Sequence, residues 1–283
     1  MKVAVLGAGG QLGGAITEAF TAICETVAFT HHDLDVTDRA EVFRMVDLHK
    51  PTVLFNASGM TDVDGCERDQ KRAYAVNALA PRWLAEAAQR VNGLFVHVST
   101  DYVFDGAKGS PYHEWDHPRP VQTYGRSKLA GEAEVQAHAS RYTIVRTSWL
   151  YGGPERGFVR SILRQVGEGN SVPLRVVTDQ RGSPSYALDV ARAVAQLIRN
   201  DVRGVIHVAN EGGCSRHELA QEIVRLCEST KVVEAMNSKD LRLEGAVRPK
   251  DTSLESYVCL AVGVHLRPWQ ESLEEFLHGA RRG

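Results

Sequence analysis

The chain has 283 residues, enough for one large α/β unit or two domains on a shared core. With 33 Lys and Arg against 35 Asp and Glu, its formal net charge of −2 gives no electrostatic case for a nucleic-acid partner. Five scattered cysteines (Cys24, Cys66, Cys214, Cys227 and Cys259) contain no Cys-x-x-Cys pair, which argues against a zinc site or disulfide framework and for a reducing compartment. The opening "MKVAVLGAGG" breaks at glycines too soon for a signal peptide or membrane helix, so no membrane partner and a cytoplasmic location are expected.

"KVAVLG" reads as a buried strand, and Leu12, Ile16, Ala19, Phe20 and Ile23 then recur at helical spacing. "ETVAFT" is a second strand, followed by a helix from about Thr37 with Val42, Phe43 and Val46 on one face. "PTVLFNAS" is a third strand, and one long helix is expected through Ala73, Val76, Leu79, Trp83 and Leu84. "GLFVHVST" is the next strand, "QTYGRSKLAGE" a helix, and "YTIVRTSWLYG" a further strand. This alternation implies right-handed crossovers and a parallel sheet with helices on both faces.

The second half loses the rhythm. "FVRSILRQV" lies between the turn-rich "GGPERG" and "GEGNSVP"; "YALDVARAVAQLIR" is an amphipathic helix and "GVIHVAN" a strand. "CSRHELAQEIVRLCE" is a helix capped by Ser215 with Glu218 at the capping-box position, and "PWQESLEEFL" closes the chain. The fold class expected is α/β: a Rossmann-type doubly wound parallel sheet with a smaller α/β C-terminal substrate domain. The division is residues 1–148 for dinucleotide binding, with a returning segment at about 176–208, and 149–175 plus 209–283 as a substrate-binding lid.

"LGAGGQLGGAI" runs directly from the first strand into the first helix. Gly7, Gly10 and Gly13 permit a tight turn and close approach of a pyrophosphate to the helix N-terminus. At the second-strand tip, Thr30, His31 and His32 precede the first acid, Asp33. With no carboxylate at the tip and His31 able to bond a 2′-phosphate, NADPH is mildly favoured, and NADH stays open. At the end of "VHVST", Thr100 or Ser99 could hold a carbonyl oxygen. Tyr124 and Lys128, one helical turn apart, supply a phenol to protonate it and an ammonium to lower that phenol's pKa.

The segments "GAGGQLG", "NASGMTDVDGCE", "HVSTDYVFDGAKGSPYHEWDHPRPVQTYGRSKLAGE", "RTSWLYG", "DQRGSPSYALDVA" and "VRPKDTSLES" run in one order over nearly the full length. On these the chain resembles the extended short-chain dehydrogenase/reductases, and within them the dTDP-4-dehydrorhamnose reductase family. The resemblance implies a catalytic Thr100, Tyr124 and Lys128. It implies that Gly7, Gly10, Gln11, Leu12 and Gly13 cradle the pyrophosphate, with Asp35 and Val36 along the adenine. Ala57 and Ser58 would line the way to the nicotinamide ribose, which Tyr124 and Lys128 also meet. Val63, Asp101, Tyr102 and Trp149 would contact a nucleotide sugar, and Arg248 would take its diphosphate. Where some relatives carry a glutamate serving a magnesium-mediated dimer, this chain has Ala15, so no metal is expected. A homodimer through sheet-flanking helices stays open, although such helices bury their apolar face on the sheet by default.

The implied activity is reduction of a nucleotide-linked 4-keto-6-deoxy sugar, most naturally dTDP-4-dehydrorhamnose to dTDP-L-rhamnose. Two alternatives stand beside it. One is a 4-ketoreductase for another nucleotide sugar, with discrimination sought at Met60 and at residues 152–156. The other is a dinucleotide-binding regulatory subunit of methionine adenosyltransferase, which shares "SDYVFDG"-like and "YGKTKL"-like segments.

Overall fold

The computed structural model describes residues 1–153, 157–168, 172–240 and 245–280. Two of the expected elements, β1 (Lys2–Leu6) and α1 (Gln11–Thr21), open the fold. They are followed by β2 (Glu25–Phe29), α2 (Arg39–His49) and β3 (Val53–Asn56). Asp38 caps α2 by accepting from the Glu41 N–H at 3.0 Å, which starts that helix just past the expected Thr37.

The long helix expected next is interrupted. It consists of α3 (Val63–Arg68), α4 (Gln70–Tyr74), a π-helical turn over Ala75–Leu79 and α5 (Ala80–Arg90). The wider turn contains the fully buried Asn77, and such π segments are frequent at functional sites. β4 (Leu94–Thr100), α6 (Thr123–His138) and β5 (Tyr142–Thr147) complete the contiguous part of the sheet. The strand expected to run on through "SWLYG" stops at Thr147; Trp149 takes a left-handed backbone (φ 43°), and β6 (Leu150–Tyr151) belongs to another sheet.

After α7 (Phe158–Gly167) come β7 (Leu174–Val177), β8 (Arg181–Gly182), β9 (Ser185–Tyr186), α8 (Ala187–Arg199) and β10 (Gly204–His207). β11 (Cys214–Ser215), α9 (Arg216–Leu226), β12 (Val233–Met236), α10 (Tyr257–Ala261) and α11 (Trp269–Ala280) follow. The main sheet has the order β10-β5-β4-β3-β1-β2, every pair parallel. Strand order reverses between β1 and β3, the kind of switch point where open α/β sheets bind ligands. One face of the sheet is covered by Leu12, Ile16 and Phe20 of α1 with Val190, Val194 and Leu197 of α8. The other is covered by Val42 and Val46 of α2, Leu84 and Ala88 of α5 and Val135 of α6.

Two corrections to the division follow. β7 pairs in parallel with β12, which sequence periodicity does not reveal, so the segment returning to the main sheet begins at α8 and not at 176. Cys259 and Val264 pack into the core beside α8 and β10, so part of 209–283 supports the main sheet as well. The elements expected to form the lid share a separate core of Ile162, Leu174, Leu219, Ile223, Leu273 and Phe276. Its α9 carries the expected capping box: Glu218 N–H donates to Ser215 Oγ at 3.1 Å and Ser215 N–H to Glu218 Oε2 at 2.6 Å.

Candidate active site

The loop between β1 and α1 fits a pyrophosphate. Gly7 has φ +74°, and a Cβ there would come 2.7 Å from Ser58 N; a Cβ on Gly13 would come 2.1 Å from Gly7 O. The α1 N-terminus has no side-chain cap and no acid in its first turn, leaving its dipole open to an anion. Gln11 opens that helix, and Gly153 packs against its backbone. Leu12 is a core residue. Ala57 donates its N–H to Leu6 O at 3.0 Å and, with Ser58, walls the loop from β3.

At the β2 tip the structure alters one premise. Asp33 folds back so that Thr30 N–H and Oγ1 both donate to it, at 2.8 and 2.7 Å, and these bonds hold its carboxyl below the usual range. A carboxylate therefore does stand at the tip, because the loop turns the chain back after two residues. His31 is exposed and lies tilted against His32, ring centres 3.8 Å apart and planes at 43°. Asp35 accepts from Thr37 N–H and Oγ1 at 2.9 and 2.7 Å, while the half-buried Val36 packs beneath it on the α2 side.

Tyr124, Lys128 and Glu132 project from α6 at intervals of one turn. The helix starts under double control: Gln122 Oε1 accepts from Gly125 N–H at 2.6 Å, and Glu67 of α3 accepts from Thr123 N–H and Oγ1 at 2.6 and 2.7 Å. It lies so close to the turn after β4 that a Cβ on Gly125 would meet Tyr102 O at 2.0 Å. That contact sets Tyr124 edge-on to Tyr102, ring centres 6.0 Å apart. The choice between Ser99 and Thr100 is resolved by strand alternation. Ser99 Oγ turns away and donates to Glu132 Oε1 at 2.5 Å, whereas Thr100 Oγ1 faces Tyr124 and accepts from Tyr102 N–H at 3.1 Å.

The Tyr124 phenol is pushed above its ordinary pKa by burial, with the Thr100 hydrogen bond opposing the rise. This reverses the expectation that Lys128 would lower it. Lys128 is itself buried, donating to Val98 O at 2.6 Å, and burial brings its pKa down to about 8. Its Nζ also sits 3.3 Å from His97 Nε2; His97 Nδ1 is 3.1 Å from Asn56 Nδ2, and Asn56 Oδ1 accepts from Ser58 N–H and Oγ. Burial and the Lys128 charge hold His97 neutral. Lys128→Met is expected to stabilise the fold by ~1–2 kcal/mol at pH 7, the relieved burial of an ammonium exceeding the lost Val98 bond. The sign follows from linkage: the folded pKa near 8 lies below the unfolded value of 10.5, so the penalty is complete below pH 8 and vanishes towards 10.5. Urea denaturation of both proteins should show the advantage shrinking across that interval. An advantage independent of pH would mean it does not come from the charge.

Sequence patterns do not single out Asn77, His97 and Glu132. Asn77 is the most functional in appearance, binding Met60 N–H and O at 2.9 and 3.1 Å and donating to Ser127 Oγ at 3.0 Å. Its only sequence signal is a polar residue, one turn after Ala73, on a helical face that should be apolar.

Of the expected sugar contacts, Val63 begins α3, Tyr102 borders Tyr124, and Trp149 lies against Gly182. Asp101 is not free for a sugar. It is buried, and Thr100, Ser148 and Thr252 hydroxyls donate to it at 3.1, 3.0 and 2.5 Å, while burial lifts its pKa to about 6. Arg248 is likewise engaged, by a two-pronged pair with Asp64 at 2.5 and 2.7 Å that clasps the lid to α3 and holds Asp64 at about 2. Of residues 152–156, Gly152 and Gly153 border Tyr186 and Gln11, and 154–156 lie outside the described residues.

The family model described as RmlD substrate binding domain matches residues 1–282. The chain belongs to the dTDP-4-dehydrorhamnose reductase family of extended short-chain dehydrogenase/reductases. A family member from Mycobacterium tuberculosis (strain H37Rv), named dTDP-4-dehydrorhamnose reductase, is 42% identical over 80% of this chain and 75% of its own. A Streptomyces antibioticus protein named "Probable dTDP-4,6-dihydroxy-2-methyloxan-3-one 4-ketoreductase" is 39% identical over 81% of this chain and 78% of its own. The crystal structure of dTDP-4-dehydrorhamnose reductase from Bacillus anthracis in complex with NADP superposes with TM-score 0.94 at 34% identity, covering 98% of this chain and 99% of the other. Among the described residues of this family member, no helix is long and apolar enough to cross a membrane.

Proposed function

We propose that the protein is an NADPH-dependent reductase of a dTDP-linked 4-keto-6-deoxy sugar, with dTDP-4-dehydrorhamnose as substrate and dTDP-L-rhamnose as product. The observation that carries this is the convergence of Thr100, Tyr124 and Lys128 at the end of β4, beside a glycine loop shaped for a pyrophosphate. NADPH, when bound, supplies the hydride for the sugar C4 carbonyl.

The rest of the chemistry falls to the chain. Thr100 Oγ1 turns its O–H from Asp101 to hold the carbonyl oxygen, and Tyr124 donates its phenolic proton to that oxygen as negative charge develops. A phenol whose pKa is raised keeps its proton at neutral pH, which suits a donor in the direction of reduction. Lys128, fixed by Val98 O, presents its ammonium to the ribose side of Tyr124, and Asn77 braces Met60 and Ser127 around them. Gly7, Gly10, Gln11, Leu12, Gly13, Ala57 and Ser58 hold the dinucleotide, and orientation of the reactants accounts for most of the barrier reduction.

We place the protein in the cytoplasm, where its five free thiols suit a reducing milieu. A homodimer would use surfaces other than the apolar faces of α1, α2, α5 and α8, which are spent on the sheet. The test is sugar-dependent loss of NADPH absorbance, with dTDP-4-dehydrorhamnose generated from dTDP-glucose by the upstream enzymes and NADH run in parallel. Rapid loss with NADPH is expected. No loss with this sugar, together with turnover of another dTDP-linked ketone, would move the protein to the ketoreductase reading that the Streptomyces relative represents.

A further inference from the structure

Arg216 is the first residue of α9, and its guanidinium lies 3.5 Å from the ring centre of Trp149 and 4.8 Å from that of Phe158. Stacking on two rings strips water from the faces of the cation. Its N–H hydrogen-bonds the Tyr102 hydroxyl, and it feels the charge of Asp101. Asp101 makes no direct ion pair with it, its oxygens accepting from three hydroxyls instead.

Neighbouring arginines are all paired: Arg248 with Asp64, Arg181 with Glu218 and Asp251, Arg146 with Glu132. Among the described residues Arg216 alone of these four makes no ion pair. A half-buried cation with both faces covered by rings and no direct ion pair is poorly compensated. The platform beneath it is strained, because Trp149 holds φ +43°, and its indole fits only because residue 182 is glycine, where a Cβ would come 2.5 Å from it. An unpaired cation on a strained platform, kept in register beside Tyr102 and the Tyr124 that it meets edge-on, calls for a ligand that brings negative charge.

We propose that Arg216, stacked on Trp149, binds the diphosphate of the nucleotide sugar and is the positioning residue that selects diphosphate-linked sugars. This rests on the nucleotide-sugar reading above. A guanidinium fork matches phosphate oxygens, and Tyr102 carries its contact to within one aromatic pair of Tyr124, where the sugar must react. Arg248, spent on Asp64, is the clasp between lid and α3.

The experiment is calorimetric binding of thymidine diphosphate and of thymidine to the NADPH-bound wild type, Arg216→Gln, Arg216→Lys and Arg248→Gln. Arg216→Gln is expected to weaken thymidine diphosphate about 10–100-fold and thymidine less than about threefold. Arg216→Lys, which keeps charge but loses fork and stacking, should fall between, and the KM for the keto sugar should rise in step while kcat changes less. A merely structural role would weaken both ligands together. If the wild type binds thymidine diphosphate and Arg216→Gln or Arg216→Lys binds it equally well, the proposal is overturned and the reductase reading stands. If the wild type binds no thymidine diphosphate, both fall. Should Arg216→Gln lose NADPH affinity through misfolding, Arg216→Lys decides the matter by the same ratio.

Discussion

Tyr124→Phe is expected to lower kcat for the keto sugar about 10²–10⁴-fold and to leave NADPH affinity and thermal stability nearly unchanged. The substitution removes one oxygen and nothing else of consequence to the fold. The ring keeps its edge-on contact with Tyr102 at 6.0 Å between centres, and α6 keeps its caps at Gln122 and Glu67. What disappears is the proton for the developing alkoxide, and the described surroundings hold no good substitute. Thr100 can donate a hydrogen bond but not readily a proton. Lys128 has its ammonium drawn towards Val98 O, and Asp101 is enclosed by hydroxyls. Steady-state kinetics with a fluorescence titration of NADPH would separate the two effects. If the Phe variant turns over within about tenfold of the wild type, the proton comes from elsewhere and Tyr124 is only a wall of the cleft.

The parts of this site legible in the sequence are those carried by a short local pattern. The glycine spacing after β1 reads directly because each glycine answers a local steric demand, as Gly7 does against Ser58. The four-residue step from Tyr124 to Lys128 reads because a helix turns that step into one face. Electrostatics did not follow from spacing. One turn of helix puts phenol and ammonium on a common face, but whether the ammonium lowers the phenol's pKa depends on where its charge is held. Here it is held by β4, and burial wins at both groups.

The lid was hardest to read. β7 and β12 are four-residue strands some sixty residues apart, the first mostly buried and the second mostly not, with no alternation long enough to mark them. Arg248 and Arg216 illustrate the same limit for charge. Both are arginines in loop-to-element transitions, and only the fold reveals that Asp64, distant in sequence, has taken one and left the other. Asp101 is a milder case, since its neighbours Thr100 and Tyr102 invite a role in the cleft while Ser148 and Thr252 turn its carboxyl inwards.

Glu132→Ala should be the most destabilising of the substitutions considered, at about 3–5 kcal/mol, although Glu132 touches no reactant. The carboxylate stands one turn beyond Lys128 and is almost completely buried, with a side-chain exposure of 2% against 5% for its partner Arg146. Arg146 Nε and Nη2 donate to its two oxygens at 2.9 and 2.7 Å, and Ser99 Oγ adds a third bond at 2.5 Å. Alanine would leave a guanidinium buried against Phe104 with no counter-ion, which costs far more than the pair contributes over an apolar filling. By that reasoning Glu132→Leu combined with Arg146→Met should recover most of the loss. A chemical denaturation series on the two single variants and the double variant would measure this coupling, expected to exceed about 2 kcal/mol. The consequence for activity is indirect: β4 and α6 are joined here, directly behind Thr100 and Lys128, so kcat of the folded Ala variant should fall, and with the supporting Glu132 charge gone the Lys128 limb of its pH profile should move to lower pH. Additive single-variant losses would mean that α6 is held against the sheet by its glycine contacts and caps alone.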